Sequence, residues 1–286
     1  MLNFDEVSSI REQVRRWKSQ NLSIAFVPTM GNLHAGHLAL IAKAKSLADK
    51  VVVSIYVNPL QFGENEDFDA YPRTLEKDQA ALKNAGVDIL FLPTSVMIYP
   101  DSPSKSTQVL VPGISNLLCG EFRPDHFSGV ATVVCKLLNI VQANIAVFGE
   151  KDFQQVAVIR KMVRDLFIPV QIKAAPTVRE SDGLALSSRN QYLSNEQRKT
   201  AAKLYQAMTE MLDNARNGID YRDIEMKGRE KLKKSGFKPE YVQLSNRNTL
   251  LPAETLDKNA VLLVAAWLGK TRLIDNLSLS NCTNNN

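Results

Sequence analysis

Two of the three histidines in the chain, His34 and His37, fall within one stretch, "VPTMGNLHAGHLALI" at 27–41. An apolar segment closed by Pro28 precedes them. A small-residue loop follows, and a segment with helical spacing opens near Gly36 and His37. In a parallel sheet, the loop after a strand lies at the carboxyl edge, where ligands bind. The N–H groups and dipole at a helix start attract anions, so phosphates suit such a place. Gly31 lets the loop turn, and Gly36 removes a Cβ from the path of a ligand. Two imidazoles there can donate to oxygens that gain charge in a transition state. The same H-x-x-H pair also reads as a metal-ligand pair. A metal site needs further ligands, and the one remaining histidine is His126 in "RPDHFSG". The strand–glycine–helix setting favours phosphate.

Three further stretches carry suitable groups. "FGEKDFQQ" (148–155) again sits where a strand hands over to a helix. Gly149 permits close approach, Lys151 offers a point charge for phosphate, and Asp152 can cap the helix or hold a ribose hydroxyl. Gln154 and Gln155 supply both donors and acceptors for a hydroxylated ligand. "GLALSSRNQYL" (183–193) gathers Ser187, Ser188 and Arg189, a clamp for phosphates if it is not simply a solvated loop. In "NPLQFGENEDFDAYPRTLEKD" (58–78), Gln61 follows a strand toward the same edge. The acidic residues beyond it form a lid or a solvated surface, and Asp78 is the candidate Mg²⁺ ligand, since Mg²⁺ needs few protein oxygens. "GKT" at 269–271 imitates the end of a P-loop, but the motif requires glycine where Val264 stands, and no G-x-G-x-x-G is present.

These stretches are positioned by alternating elements. The patterns predict strands at 22–28, 50–59, 87–93, 144–150 and 169–176. Between them they predict helices at 37–48, 74–86 (Thr74 as N-cap, Gly86 as stop), 128–142 and 152–166. Such alternation implies parallel pairing through right-handed crossovers, an α/β doubly wound sheet. After about Pro176 the pattern changes. A loop leads to helices at 195–214 and 220–234, then strands at 240–245 and 259–268, which read as a second, smaller α/β domain. The domain limits expected are 1–176 and 177–276, with a polar tail at 277–286.

The 286 residues include 44% apolar and 23% charged residues, the balance of a globular protein. No apolar run reaches the ~18 residues of a membrane span. The N-terminal "MLNFDEVSSIREQVRRW" has no secretory pattern. Three scattered cysteines, with no C-x-x-C, argue for a reducing compartment, so a cytoplasmic location is expected. The net charge of +5 is spread among acids without a basic run. That suits an enzyme binding several anions better than a nucleic-acid partner.

Seven motifs in order, "VPTMGNLHAGH", "VSIYVNPLQF", "YPRTLEKD", "RPDHFSGVATVV", "FGEKDFQQ", "DGLALSSRN" and "VAAWLGKTRLIDN", resemble the pantoate–β-alanine ligases. The first resembles the H-x-G-H signature of the wider nucleotidyltransferase superfamily, and alone it would leave the substrate open. The resemblance implies a Rossmann-like domain, a smaller C-terminal domain closing over the site, and a homodimer. It implies the ATP-dependent joining of pantoate to β-alanine, with AMP and pyrophosphate as co-products. Met30, Gly31, Asn32, Leu33, His34, Ala35, Gly36 and His37 would line the ATP site. Gly149, Glu150, Lys151, Asp152, Val178, Leu186, Ser187, Ser188 and Arg189 would contact it as well. His37, with His34, Lys151 and Arg189, would carry the catalysis. Gln61, Gln155, Arg123 and His126 would bind pantoate, Gln61 also β-alanine, and Asp78 would meet Mg²⁺.

Overall fold

In the computed structural model, residues 1–63, 66–254 and 259–279 are described. Cys282 and the tail expected beyond 279 lie outside the described residues. The chain divides into two compact units. The first comprises Met1–Asn116, Arg123–Glu150 and Gln154–Pro176. The second takes in Leu117–Phe122, Lys151–Phe153 and the chain from Thr177 onward.

In chain order, the first unit begins with β1 (Leu2–Phe4), α1 (Val7–Ser19), β2 (Ile24–Thr29), α2 (Ala35–Lys45) and β3 (Lys50–Ile55). It continues through α3 (Leu75–Asn84), β4 (Ile89–Phe91) and the short α4 (Ser95–Ile98). A one-turn helix, α5 (Cys119–Phe122), belongs to the second unit. Then come α6 (His126–Val141), β5 (Ile145–Gly149), α7 (Phe153–Asp165) and β6 (Gln171–Ala175). The six strands are parallel, in the order β1-β4-β3-β2-β5-β6. β2 and β3 are apolar along most of their length and buried on both faces, as strands covered by helices on each side must be. Chain order reverses between β2 and β5, which pair at Ala25–Ile145 and Phe26–Ala146. That reversal is a topological switch point. In open α/β sheets a ligand binds beyond the strand carboxyl ends at such a point. The loops leaving β2 and β5 there are those of His34–His37 and Gly149.

The second unit holds α8 (Asn195–Arg216), α9 (Tyr221–Lys234) and an antiparallel sheet of β7 (Lys238–Asn246), β8 (Ala260–Leu268) and β9 (Thr271–Ser278), in the order β7-β8-β9. Leu204, Met208 and Leu212 of α8 pack with Ile224 and Leu232 of α9 over Leu244, Leu262 and Val264. Ser194 and Gln197 cap α8 reciprocally, each side chain accepting from the other residue's backbone N–H.

Beyond the short helices α4 and α5, three further elements exceed the sequence expectations. β1 is a three-residue edge strand, too short to show a period. The first unit's α1 buries Ile10, Val14 and Trp17 as a helical stripe within a charged segment. β9 adds a strand to those predicted, and its Leu277 and Ser278 continue that strand into the expected tail. The P-loop imitation becomes the turn between β8 and β9. Leu268 faces Thr271, and Gly269 takes φ +60° as the first residue of a two-residue hairpin turn.

One close approach fixes how α6 meets the turn after β3. Pro59–Gln61 form a single 3-10 turn. A Cβ on Gly129 would lie 2.1 Å from the Leu60 carbonyl oxygen and 2.8 Å from the Gln61 nitrogen. Those are backbone atoms and cannot rotate away. Gly129→Ala is expected to destabilise the protein by about 3 kcal/mol, the upper range for overpacking. Urea unfolding monitored by circular dichroism measures this, and an unchanged midpoint would disprove the constraint.

Candidate active site

The loop between β2 and α2 is built by satisfying its own N–H groups. Gly31 (φ +81°) and Asn32 (φ +49°) are consecutive left-handed residues. They turn the chain so that the N–H groups of Asn32 and Leu33 both reach the Asp78 carboxylate, at 2.9 and 2.8 Å. Asp78 comes from the first turn of α3 and is 2% exposed. It also accepts from the Thr74 hydroxyl at 3.2 Å. Gly31 leaves little room for a side chain: a Cβ would sit 3.1 Å from both an Asp78 oxygen and Ile55 Cγ2, at a φ that other residues rarely adopt. Thr29 closes the strand end, donating to the Ser54 carbonyl at 2.8 Å and accepting from Gly31 N–H at 3.3 Å.

His34 and His37 then cap α2 for each other. His34 is the N-cap, and its Nδ1 accepts from Gly36 N–H at 3.1 Å; its side chain also accepts from the His37 N–H. His37 Nδ1 accepts from His34 N–H at 3.3 Å. This is a capping box made of two imidazoles, with ring centroids 4.1 Å apart and planes tilted by 42°. An Nδ1 that accepts carries no proton. Each neutral ring therefore holds its proton on Nε2, the tautomer being assigned from the hydrogen-bond network. The arrangement corrects the expectation of a helix start with bare N–H groups for anions. The N–H groups of Asn32, Leu33, His34, Gly36 and His37 all donate inward. These backbone donors are turned to acceptors within the protein, and the helix dipole still favours negative charge beside them.

Gln61 stands in the 3-10 turn after β3. Its side chain accepts from Asn58 Nδ2 at 3.4 Å, and its Nε2 donates to the Met30 sulfur at 2.7 Å. Its carbonyl accepts from His126 Nδ1 at 2.7 Å and from Arg123 at 3.3 Å. Arg123 is also paired through two nitrogens with Glu66, at 2.6 and 2.5 Å, and lies 3.1 Å from His126 Nε2. Arg123 and His126, expected as pantoate contacts, thus grip the backbone of Gln61. Glu66, from the acidic stretch expected as a lid or solvated face, is an ion-pair partner. Gln154 differs from expectation: it is buried and donates to the Ile114 carbonyl at 2.8 Å. Gln155 and Gly149, also of the first unit, keep partial exposure, as does Glu150.

The remaining expected residues belong to the second unit, where each keeps partial exposure. Lys151 and Asp152 lie in a 3-10 turn, with Lys151 Nζ 3.8 Å from the Asp152 carboxylate. The Lys151 carbonyl accepts from Asn276 of β9 at 3.0 Å. Val178, Leu186, Ser187, Ser188 and Arg189 lie along a tight hairpin and the 3-10 turn after it. Leu186 N–H donates to Val178 at 3.0 Å, Glu180 N–H to Leu184 at 2.8 Å, and Ser187 Oγ accepts from Arg189 N–H at 3.3 Å. Arg179 staples this hairpin to β9 through two bonds to Asp275, at 2.6 and 2.9 Å, and stacks 4.3 Å from the Tyr205 ring centroid. Asp182 pairs with Arg198, which holds the Asp182 carboxyl below its ordinary range. The stretch read as a clamp or a solvated loop is therefore a bound hairpin. Asp275 and Asn276 were missed as functional supports. The structure shows both buried in β9, between the apolar Ile274 and Leu277.

Comparison with known proteins fits this geometry. The family model described as pantoate-beta-alanine ligase matches residues 3–278. The chain belongs to that family. A pantothenate synthetase of Shewanella loihica is 53% identical over 97% of this chain and 99% of its own length. A crystal structure of pantothenate synthetase from Thermus thermophilus superposes with a TM-score of 0.91 at 46% identity, covering 98% of this chain and 99% of that one. A pantoate-beta-alanine ligase of Francisella tularensis, solved with "Beta-gamma ATP and Beta-alanine", matches with a TM-score of 0.83 at 37% identity over 98% of both chains. The two histidines of "HAGH" are, in this chain, the reciprocal cap of α2.

Two measurements probe that cap. In ¹⁵N spectra at neutral pH, both histidines should show an unprotonated Nδ1 and a protonated Nε2; a protonated Nδ1 on either ring contradicts the cap. His34→Ala should cost about 1 kcal/mol of stability, whereas His34→Asn, a good N-cap, should recover most of it. Equal melting temperatures for Ala and Asn would count against a capping role.

Proposed function

We infer that the protein condenses pantoate with β-alanine at the expense of ATP, releasing AMP and pyrophosphate through a pantoyl-adenylate. The observation that carries this is the paired-imidazole donor set at the sheet's switch point, in a chain of the pantoate–β-alanine ligase family throughout residues 3–278.

The substrate carboxylate is the nucleophile, so no serine or cysteine of the protein is required. A carboxylate oxygen attacks the α-phosphorus of ATP. The bond from that phosphorus to the bridging oxygen breaks, and pyrophosphate leaves with the electron pair. The β-alanine amine then attacks the acyl carbon of the adenylate, loses a proton, and AMP departs with its carboxyl-derived oxygen. Catalysis is chiefly positioning and charge stabilisation. His34 and His37 donate through Nε2–H to phosphate oxygens as charge moves onto them. Lys151 and Arg189 are assigned to the same phosphates, with Met30 to Gly36, Gly149, Glu150, Asp152, Val178 and Leu186 to Ser188 as further ATP contacts. Gln61 and Gln155 are assigned to pantoate, and Gln61 also to β-alanine, with Arg123 and His126 supporting Gln61. Closure of the smaller domain would keep water from the adenylate.

Magnesium enters this proposal only with the nucleotide. Among the described residues no group of three or more His, Cys, Asp or Glu could hold a metal ion. Asp78 already accepts three hydrogen bonds. The protein builds no cage of its own among those residues, and no step is routed through the ion. A cytoplasmic homodimer is part of the same proposal. No described helix is long and apolar enough to cross a membrane.

The decisive assay incubates the protein with Mg-ATP and pantoate, with and without β-alanine. Pyrophosphate should appear in both, and free AMP with amide product only when the amine is present. A nucleotidyltransferase that stops at adenylylation would release no AMP. A nucleic-acid binder would turn over nothing and show steep salt dependence. His37→Ala should lower kcat by roughly 10²-fold with little change in ATP affinity. A near wild-type rate of adenylate formation in single turnover would remove His37 from the chemistry. Gln155→Ala should weaken pantoate binding and spare ATP; an unchanged pantoate Kd in calorimetry would end that assignment.

A further inference from the structure

A line of polar side chains that no step above uses runs toward Gln61. Lys136 of α6 donates to the Ile98 carbonyl at 2.7 Å and to the Ser106 hydroxyl at 2.9 Å, and its Nζ lies 4.4 Å from the centroid of the Tyr99 ring. Tyr99 is 2% exposed, and its hydroxyl donates to Asn58 Oδ1 at 2.6 Å. Asn58, 1% exposed, donates through Nδ2 to the Gly129 carbonyl at 3.1 Å and to Gln61 Oε1 at 3.4 Å.

Each link has a direction that chemistry fixes. A backbone carbonyl only accepts, so the Asn58 atom facing Gly129 is its NH₂. Its oxygen then faces Tyr99, which must donate. The Asn58 NH₂ directs the Gln61 oxygen toward itself. At the other end of the Gln61 amide, the Met30 sulfur can accept but has no proton to give, so it faces the Gln61 NH₂. Burial pushes the Tyr99 phenol above its ordinary value, and it stays a donor at neutral pH.

We propose that Tyr99 is a positioning residue for the acid substrate: through Asn58 it fixes the amide orientation of Gln61, so that Gln61 meets the ligand as a hydrogen-bond donor. A donor at that place suits the carboxylate and hydroxyl oxygens of pantoate; toward β-alanine it suits the carboxylate or the deprotonated amine, not the ammonium. The proposal rests on the assignment of Gln61 to pantoate.

The test is a double-mutant cycle on pantoate affinity, read by calorimetry on the full-length protein. Gln61→Ala comes first. If it leaves the pantoate Kd unchanged, the assignment of Gln61 falls, and the proposal with it, before Tyr99 is touched. Tyr99→Phe keeps the ring over Lys136 and removes one hydroxyl. It should raise the pantoate Kd roughly five- to tenfold and leave the ATP Kd within about twofold, as expected for one lost hydrogen bond. In the Gln61→Ala background the same change should have no further effect on pantoate. Gln61→Glu, which replaces the donor by an anion, should bind pantoate worse than Gln61→Ala. Additive losses, equal losses for ATP and pantoate, or a lower melting temperature with pantoate affinity intact would each make Tyr99 merely structural and overturn the proposal. Should Tyr99→Phe fold poorly, Asn58→Ala breaks the chain at the next link, with the same outcomes expected.

Discussion

A loop can face a ligand only after its own N–H groups have found acceptors, and the segment from Gly31 to Leu38 shows how much of the fold answers that demand. A buried backbone donor without a partner costs about as much as a lost hydrogen bond, and here several stand in a row. Asp78 supplies one acceptor group, which requires α3 to begin within reach of the loop. The two imidazoles supply the others, which requires histidine at both positions of a reciprocal cap. A serine or aspartate would cap α2 as well, but neither would leave a ring N–H on its far side. The imidazole accepts at Nδ1 and carries its proton on Nε2. In the proposed function, donor to phosphate and structural cap would be the same side chain.

The larger outline was legible because it is carried by periodicity. β2 and β3 are apolar runs closed near proline, and a strand–helix alternation of that kind has few ways to fold. The H-x-G-H stretch stood out because of where it falls between strand and helix. Its local geometry did not, since nothing in "GNLHAGH" says that the histidines accept hydrogen bonds from the backbone. Gln61 stood out by its place after a strand. The contact of Tyr99 with Asn58 did not, because it spans 41 residues and leaves no periodic trace. Gln154 and Gln155 show the same limit. Adjacent identical side chains on a helix point about 100° apart, so one turns inward and the other keeps partial exposure. The composition of "DFQQ" cannot say which.

The assigned groups divide by what they must tolerate. Those assigned to the phosphates would face a changing charge, and Lys151 and the imidazoles remain partly exposed. Those assigned to the acid substrate would have to hold its shape while its carboxylate passes into the anhydride. Gln61 accordingly sits in a rigid setting, with its backbone carbonyl gripped by Arg123 and His126 and its amide fixed by Asn58 and Met30. Positioning of this kind is what a reaction between two bound substrates needs most, because misplacement of an attacking carboxylate by about an ångström is costly.

The second unit is not one continuous run of chain, and this bears on how the protein is made. Cys119 of α5 shares a hydrogen bond with the Tyr241 hydroxyl at 2.9 Å and faces Arg272 at 3.3 Å, across 122 and 153 residues. Arg272 in turn pairs with Glu240, and Trp267 donates to the other oxygen of the same carboxylate. During synthesis, the six parallel strands have all emerged by Ala175, so the large sheet can assemble while the antiparallel sheet is still unmade. The segment 117–122 must wait, with its apolar residues uncovered, until β7 to β9 arrive. Long-range closures of this sort slow folding and leave intermediates open to aggregation. A four-residue helix in the middle of the chain, one to which none of the chemistry is assigned, thus depends for its partners on strands made more than a hundred residues later.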